Sequence, residues 1–175
     1  MKLSLLAAGV ALLMVGAAQA DTFTITGSLS ESDSTFNRPL TLSSLSGVGT
    51  AVHYDSFSFL GASGGAYEFR MTTGPAPTFD TFLLLYAGSF NPASPLTNLV
   101  ALNDDLAGSG SNSGFTYTLT AGAVYTIVST AFSNTGLGNY TTTVSAVPEP
   151  ETYALMALGL AAVGLSLRRR QRDLA

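Results

Sequence analysis

The sequence predicts an all-β fold: a jelly-roll-like β-sandwich of about eight antiparallel strands, flanked by an N-terminal signal helix and a C-terminal single apolar helix. Three observations predict it. Between residues 21 and 146 apolar side chains recur at every second position in short runs, the pattern of strands with one buried face. Clusters of Gly, Pro, Ser and Asn break these runs at short intervals, and no segment before residue 150 sustains a helical period. The absence of cysteine leaves packing as the source of stability, which suits two sheets sharing a core.

The chain opens with Met1-Lys2 and an apolar run from Leu3 to Ala18, then presents Ala18-Gln19-Ala20 before Asp21. A positive start, an apolar centre and the small residues Ala18 and Ala20 predict a signal peptide over residues 1–20, cut by signal peptidase before Asp21. The predicted strands are 22–30, 51–60, 66–73, 81–87, 99–102, 115–120, 124–131 and 140–145. Phe23, Ile25 and Leu29 share one parity, as do Phe57 and Phe59, then Tyr67, Phe69 and Met71, then Tyr117 and Leu119. Alternate side chains point to opposite faces, so these sets are expected to fill the core, with Phe57, Phe59, Tyr67 and Phe69 on two arms of a hairpin. The loops are expected at Gly61 to Gly65, Gly74 to Pro77, Asn91 to Pro95 and Gly108 to Gly114, where residues accept positive φ or fix it near −65°.

Charge excludes more than it identifies. Over residues 21–146 eight acids against two bases leave a net charge of −6. Phosphate binding needs clustered Lys or Arg, so nucleic acid is not an expected partner. Thiolate chemistry and Cys-ligated zinc are excluded outright.

Few residues invite a chemical role. Gly61-Ala62-Ser63-Gly64-Gly65 fits the G-x-S-x-G pattern but joins two strand-like runs, not a strand to a helix, so a glycine-rich loop is the plain reading. His53 is the single histidine and lies in an alternating strand, where a surface or hydrogen-bonded role suffices. Asn139-Tyr140-Thr141 reads as a turn entering the last strand. Asn103, Asp104 and Asp105 cluster several oxygens at a strand end, which suits calcium, a cation taking six to eight oxygen ligands. They lack EF-hand spacing, and turn capping by Asx side chains is the plainer alternative. Adjacent carboxylates would face apart in a continuing strand, which disfavours glycosidase chemistry.

The tail changes character after Val147: Pro148-Glu149-Pro150-Glu151-Thr152, an uncharged stretch from Tyr153 to Leu167, then Arg168-Arg169-Arg170-Gln171-Arg172. Fifteen helical residues rise about 22 Å against roughly 30 Å of hydrocarbon, a marginal span helped by snorkelling arginines. The basic end is expected in the cytoplasm and the β domain outside. This tail, residues 147–175, resembles the PEP-CTERM sorting domain, in which a Pro-Glu-Pro motif, an apolar helix and a basic end are read by the membrane enzyme exosortase. The resemblance implies export through a transient inner-membrane anchor, with cleavage near Pro148-Glu149-Pro150 and delivery to the cell surface or extracellular matrix, often in exopolysaccharide-producing bacteria. Pro148, Glu149, Pro150, Arg168, Arg169 and Arg170 carry it.

A second stretch includes Asp80-Thr81-Phe82-Leu83-Leu84-Leu85-Tyr86, Leu99-Val100-Ala101-Leu102-Asn103-Asp104-Asp105 and Leu119-Thr120-Ala121-Gly122-Ala123-Val124-Tyr125. It resembles the bacterial pre-peptidase C-terminal (PPC) domain, a β-sandwich appended to exported proteins, and assigns residues 21–146 to that fold. No protease domain accompanies it, so the resemblance carries a fold and no activity. The expected role is non-enzymatic, structural or adhesive in biofilm or exopolysaccharide. A carbohydrate-binding module, calcium-dependent or not and using exposed rings such as Tyr54, Tyr86 or Phe90, is the alternative. No other cofactor is expected.

Overall fold

The structure, a computed structural model, describes residues 22–74, 78–108, 110–148 and 154–164. The signal-peptide residues Ala18 and Ala20 and the tail residues Glu149, Pro150, Arg168, Arg169 and Arg170 lie outside the described residues. Eleven strands occur among those described: β1 Thr22–Leu29, β2 Thr35–Phe36, β3 Pro39–Thr41, β4 Ser44–Leu45, β5 Val52–Gly61, β6 Gly65–Thr72, β7 Thr81–Ala87, β8 Leu99–Asn103, β9 Ser113–Leu119, β10 Ala123–Ala131 and β11 Gly138–Ala146. One helix, α1, covers residues 154–164. Each of the eight runs read from the alternation becomes a strand within about two residues of its expected ends.

The eight long strands pair like the two arms of one long ribbon. β1 pairs with β11, β5 with β10, β6 with β9 and β7 with β8, all antiparallel. The ribbon is rolled so that successive pairs alternate between two sheets, in the orders β1-β11-β6-β9 and β2-β5-β10-β7-β8. This is the jelly-roll arrangement. The small strands β2, β3 and β4 come from residues 30–50, a segment whose alternation is too short to read from sequence.

The expected hairpin of Phe57, Phe59, Tyr67 and Phe69 is corrected here. β5 and β6 belong to opposite sheets, so the glycine-rich link between them arches over the end of the sandwich. Alternation tells which side chains share a face, but a hairpin and an arch place them equally well, and only long-range pairing separates the two. Phe57 also departs from the expected core, lying 43% exposed at the edge of the sandwich beside Phe23, whereas Phe59, Tyr67 and Phe69 converge. Phe59 and Phe69 meet across the sheets at 6.3 Å, and Phe69 stacks on Phe115 at 5.2 Å. They join Leu29, Met71, Leu83, Leu85, Ile127 and Val144 in the inter-sheet core. Beside this arch Thr120-Ala121-Gly122-Ala123 links β9 to β10, with the Gly122 N–H donating to Gly61 O at 2.7 Å, and Gly122 at φ 75° supplies the left-handed residue that this turn needs.

Around β7 the five-stranded sheet is buried on both faces. Leu83 and Leu85 of β7 face the inter-sheet core, whereas Phe82, Leu84 and Tyr86 face a second cluster with Phe36, Val52 and Val128. Residues from the 30–50 segment and the loop after β7 cover it. Six consecutive buried residues in β7 match its unbroken apolar run, the signature of a strand without a solvent face.

One side of the sandwich is less closed. β1 ends its sheet, and β5 is paired by β2 only at Val52 and His53, so both strands present an unpaired edge there. Phe23 bridges them, 6.0 Å from Phe57 and 5.2 Å from Phe59.

Candidate functional site

Antiparallel pairing of β7 with β8 sets Leu83 opposite Asn103 and so brings the residue before β7 beside those after β8. Asp80, Asp104 and Asp105 meet there, with one carboxylate oxygen from each lying within 4.8 Å of the others. Two oxygens across a calcium ion with bonds of 2.3–2.6 Å are about 5 Å apart, so the spread suits that cation. Asp80 Oδ1 and Asp104 Oδ1 are buried atoms with no hydrogen-bond partner among the described residues. Burial raises the pKa of Asp104 from 3.8 to about 6, and the charges of Asp80 and Asp105 add to the rise while Arg38 opposes it. Asp80 is pushed upward too, by burial first and Asp105 second.

Asn103 is used differently. Its Oδ1 accepts a hydrogen bond from the Gly114 N–H at 3.1 Å, tying the end of β8 to β9 in the other sheet. Of the expected calcium ligands, the structure therefore gathers Asp104 and Asp105 with Asp80 and engages the Asn103 oxygen elsewhere. Asp80 was legible only through strand register, because 24 residues of sequence separate it from Asp104.

The neighbouring cation is Arg38, 1% exposed. Its guanidinium carbon lies 4.1 Å from the centroid of Phe82 and 4.6 Å from that of Phe132. Nε donates to Phe132 O at 2.9 Å and Nη1 to Pro39 O at 3.1 Å, while Nη2 has no hydrogen-bond partner among the described residues. Burial lowers its pKa, and Asp104 and Asp80 pull the other way. Gly49 makes room for it, since a Cβ there would sit 2.5 Å from Arg38 Nε. Nothing in the local sequence distinguishes this arginine from a surface one.

The remaining candidates fall into structural places. Ser63 lies in the arch between β5 and β6, while His53 stands near the opposite end of β5 with Nδ1 3.0 Å from Asp33 O. Eight strand residues span about 26 Å, so Ser63 and His53 do not form a catalytic pair. Tyr140, at the start of β11, is buried and donates to Asp55 Oδ2 at 2.8 Å, joining the two sheets. Tyr86 is fully buried and donates to Pro95 O at 2.9 Å. Tyr54 and Phe90 pack edge-to-face with Phe36 and with each other at 5.1–5.2 Å.

At the C-terminus the sandwich ends before the tail begins. Val147 N–H donates to Ala66 O at 2.8 Å, Pro148 is exposed, and no later described residue joins a sheet. Among the described residues no helix is long and apolar enough to cross a membrane.

Residues 146–170 match the PEP-CTERM protein-sorting motif. Three solved structures are similar in fold. The pre-peptidase C-terminal domain of collagenase from Bacillus anthracis is 18% identical, with 70% of this chain and 88% of that one covered and a TM-score of 0.45. PliG of Aeromonas hydrophila, a periplasmic inhibitor of g-type lysozyme, is 13% identical over 74% of this chain and 89% of its own, with a TM-score of 0.41. The K1 cleaved adhesin domain of Lys-gingipain from Porphyromonas gingivalis W83 is 15% identical over 74% and 99%, with a TM-score of 0.36. No curated protein matches the chain in sequence.

Proposed function

We propose that this chain is an exported, non-enzymatic β-sandwich protein that exosortase sorts through its tail and that serves a structural or adhesive role at the cell surface or in a biofilm or exopolysaccharide matrix. The PEP-CTERM motif at residues 146–170 implies export and sorting, and it is the observation that carries the reading. The last strand closes at Ala146, where the motif starts, so the tail can be removed without taking a strand from either sheet. The apolar stretch that contains α1 serves as a transient inner-membrane anchor, with Arg168, Arg169 and Arg170 on the cytoplasmic side. Mass spectrometry of the protein recovered from its native host is expected to find Asp21 as the first residue, after cleavage behind Ala18-Gln19-Ala20, and no peptide containing Arg168. A surface protein that keeps its arginines would overturn the sorting reading.

The burial of Tyr86 and the interlocking of Tyr54, Phe90 and Phe36 favour the structural role over the carbohydrate-binding alternative, which needs those rings free.

Calcium binding at Asp80, Asp104 and Asp105 is a second reading, favoured by the two unpartnered buried oxygens. A ligand that binds only the folded state raises stability by RT ln(1 + [L]/Kd), about 2.7 kcal/mol at a hundredfold excess over Kd. Millimolar calcium at pH 7.5 is therefore expected to raise the melting temperature of the exported protein, and Asp104→Asn to abolish the rise. In chelator, Asp104 has a folded pKa of about 6 against an ordinary 3.8, so the folded state holds more protons between those values. Stability then falls as pH rises from about 4 to about 6, and Asp80 acts in the same direction. Asp104→Asn in chelator is accordingly expected to melt no lower than the parent at pH 7.5. A lower melting point with no calcium response would leave turn capping as the role of Asp104.

A further inference from the structure

The open side of the sandwich combines three properties that single surface features lack. First, among the described residues β1 has no partner on one edge along its whole length, and β5 has none beyond Tyr54, whose N–H donates to Ser34 O at 3.3 Å. Such edges present rows of unpaired N–H and C=O groups, whose natural complement is another strand. Second, the mouth between them is apolar: Phe57 is 43% exposed, and Phe23, Ile25 and Phe59 are half-buried around it. Beside these rings a cleft of about 400 Å³ is lined about equally by polar and apolar groups, among them Ile25, Asp55, Ser56, Phe57, Ser129 and Tyr140. Third, the face is nearly free of charge. β1 reads Thr-Phe-Thr-Ile-Thr-Gly-Ser-Leu, and the single charged residue on the open part of β5, Asp55, accepts the Tyr140 hydroxyl.

We propose that this face is a self-association surface on which β1 pairs antiparallel with β1 of a second copy. Natural edge strands are commonly protected by lysine, proline or a bulge, and β1 has none of these. The occupant follows from the charge distribution. Residues 21–146 carry a net charge of −6, yet two copies meeting here bring no carboxylate of β1 against another, so the edge is where like-charged copies approach without opposition. The pattern of β1 is also compatible with itself. A two-fold axis at Ile25 sets Thr24 opposite Thr26 and Thr22 opposite Ser28 of the partner copy. Hydroxyls then meet hydroxyls on the outer face, and Phe23, Ile25 and Gly27 meet on the inner one. The four-stranded sheet becomes continuous across both copies, and the two β5 edges are drawn together behind it, removing Phe57 from water.

Sedimentation velocity on the exported protein tests the proposal, with thermal melting to confirm that each variant is folded. The parent is expected to show a concentration-dependent dimer. T24K/T26K places like charges opposite each other at two crossings and is expected to weaken the dimer about tenfold or more. T24K/T26E places opposite charges at the same crossings and is expected to restore it. A parent that stays monomeric overturns the proposal, as does a T24K/T26K variant that associates like the parent. A T24K/T26E variant as monomeric as T24K/T26K overturns the β1 register and the proposal with it. A monomer that instead binds polysaccharide through Phe57, losing retention on Phe57→Ala, would assign the face to a glycan and overturn self-association.

Discussion

Replacing Phe69 by alanine is expected to lower the unfolding free energy by about 3–5 kcal/mol, a large part of the roughly 5–15 kcal/mol that holds a domain of this size together. Phe69 is fully buried on β6, stacked on Phe115 within its own sheet and meeting Phe59 of the other. Its removal opens a cavity on both sides of the inter-sheet core at once. With a urea m-value of about 1–3 kcal/mol/M, the denaturation midpoint should fall by roughly 2 M. Phe57→Ala is the matched control, because that ring is 43% exposed and its loss should shift the midpoint little. Equal effects from the two substitutions would mean that the sheets do not share the core described here.

The second large effect is expected at Arg38. Arg38→Met keeps much of the side-chain volume between Phe82 and Phe132 but removes the positive charge beside Asp80 and Asp104 and two hydrogen bonds to backbone carbonyls. Leaving the two carbonyls that Arg38 served without their donor costs about 1–3 kcal/mol each, and losing the positive charge near the half-buried carboxylates adds a pH-dependent part. Without the arginine both carboxylates rise further in pKa, since it is the one group that lowers them. The loss is therefore expected in full at pH 7.5 and to shrink as pH falls through the raised carboxylate values. R38M/D80N/D104N is expected to recover the pH-dependent part of it in chelator. Arg38→Lys should recover less, because an ammonium cannot lie flat between two rings while donating to two carbonyls. Urea titration at pH 5 and pH 7.5 reads all four proteins, and a pH-independent loss for Arg38→Met would assign the effect to packing alone.

How much of this was legible depends on the range of the interaction. The eight long strands were visible because alternation is local: Phe23, Ile25 and Leu29 announce a buried face whatever the partner strand is. Which strand neighbours which was not, because the pairs nest over long separations and the link from β5 to β6 carries the same glycines whether it turns or arches. The burial of Tyr86 could have been read from the unbroken run Phe82-Leu83-Leu84-Leu85-Tyr86, which leaves no solvent face. Asp104 and Asp105 were found because they are adjacent, and Asp80 needed the β7–β8 register. Arg38 carried no signal at all, since a buried cation is recognised by its surroundings, here one ring on β7, a second just after β10 and a glycine eleven residues away. The tail was the most legible part, because its three blocks are contiguous in sequence.

The nesting of the strand pairs also imposes a timetable. An exported chain emerges amino end first, yet the first strand out, β1, finds its partner in the last, with Thr22 set against Ser145. At synthesis rates of about 5–20 residues per second, the wait is on the order of ten seconds. Until then a charge-free, threonine-rich segment stands without a ladder on either side. β11 ends at Ala146, where the sorting motif starts, so the strand that completes the sheet is also the last one made before the tail. A chain truncated before Gly138 would therefore lose the partner of β1 together with the sorting motif.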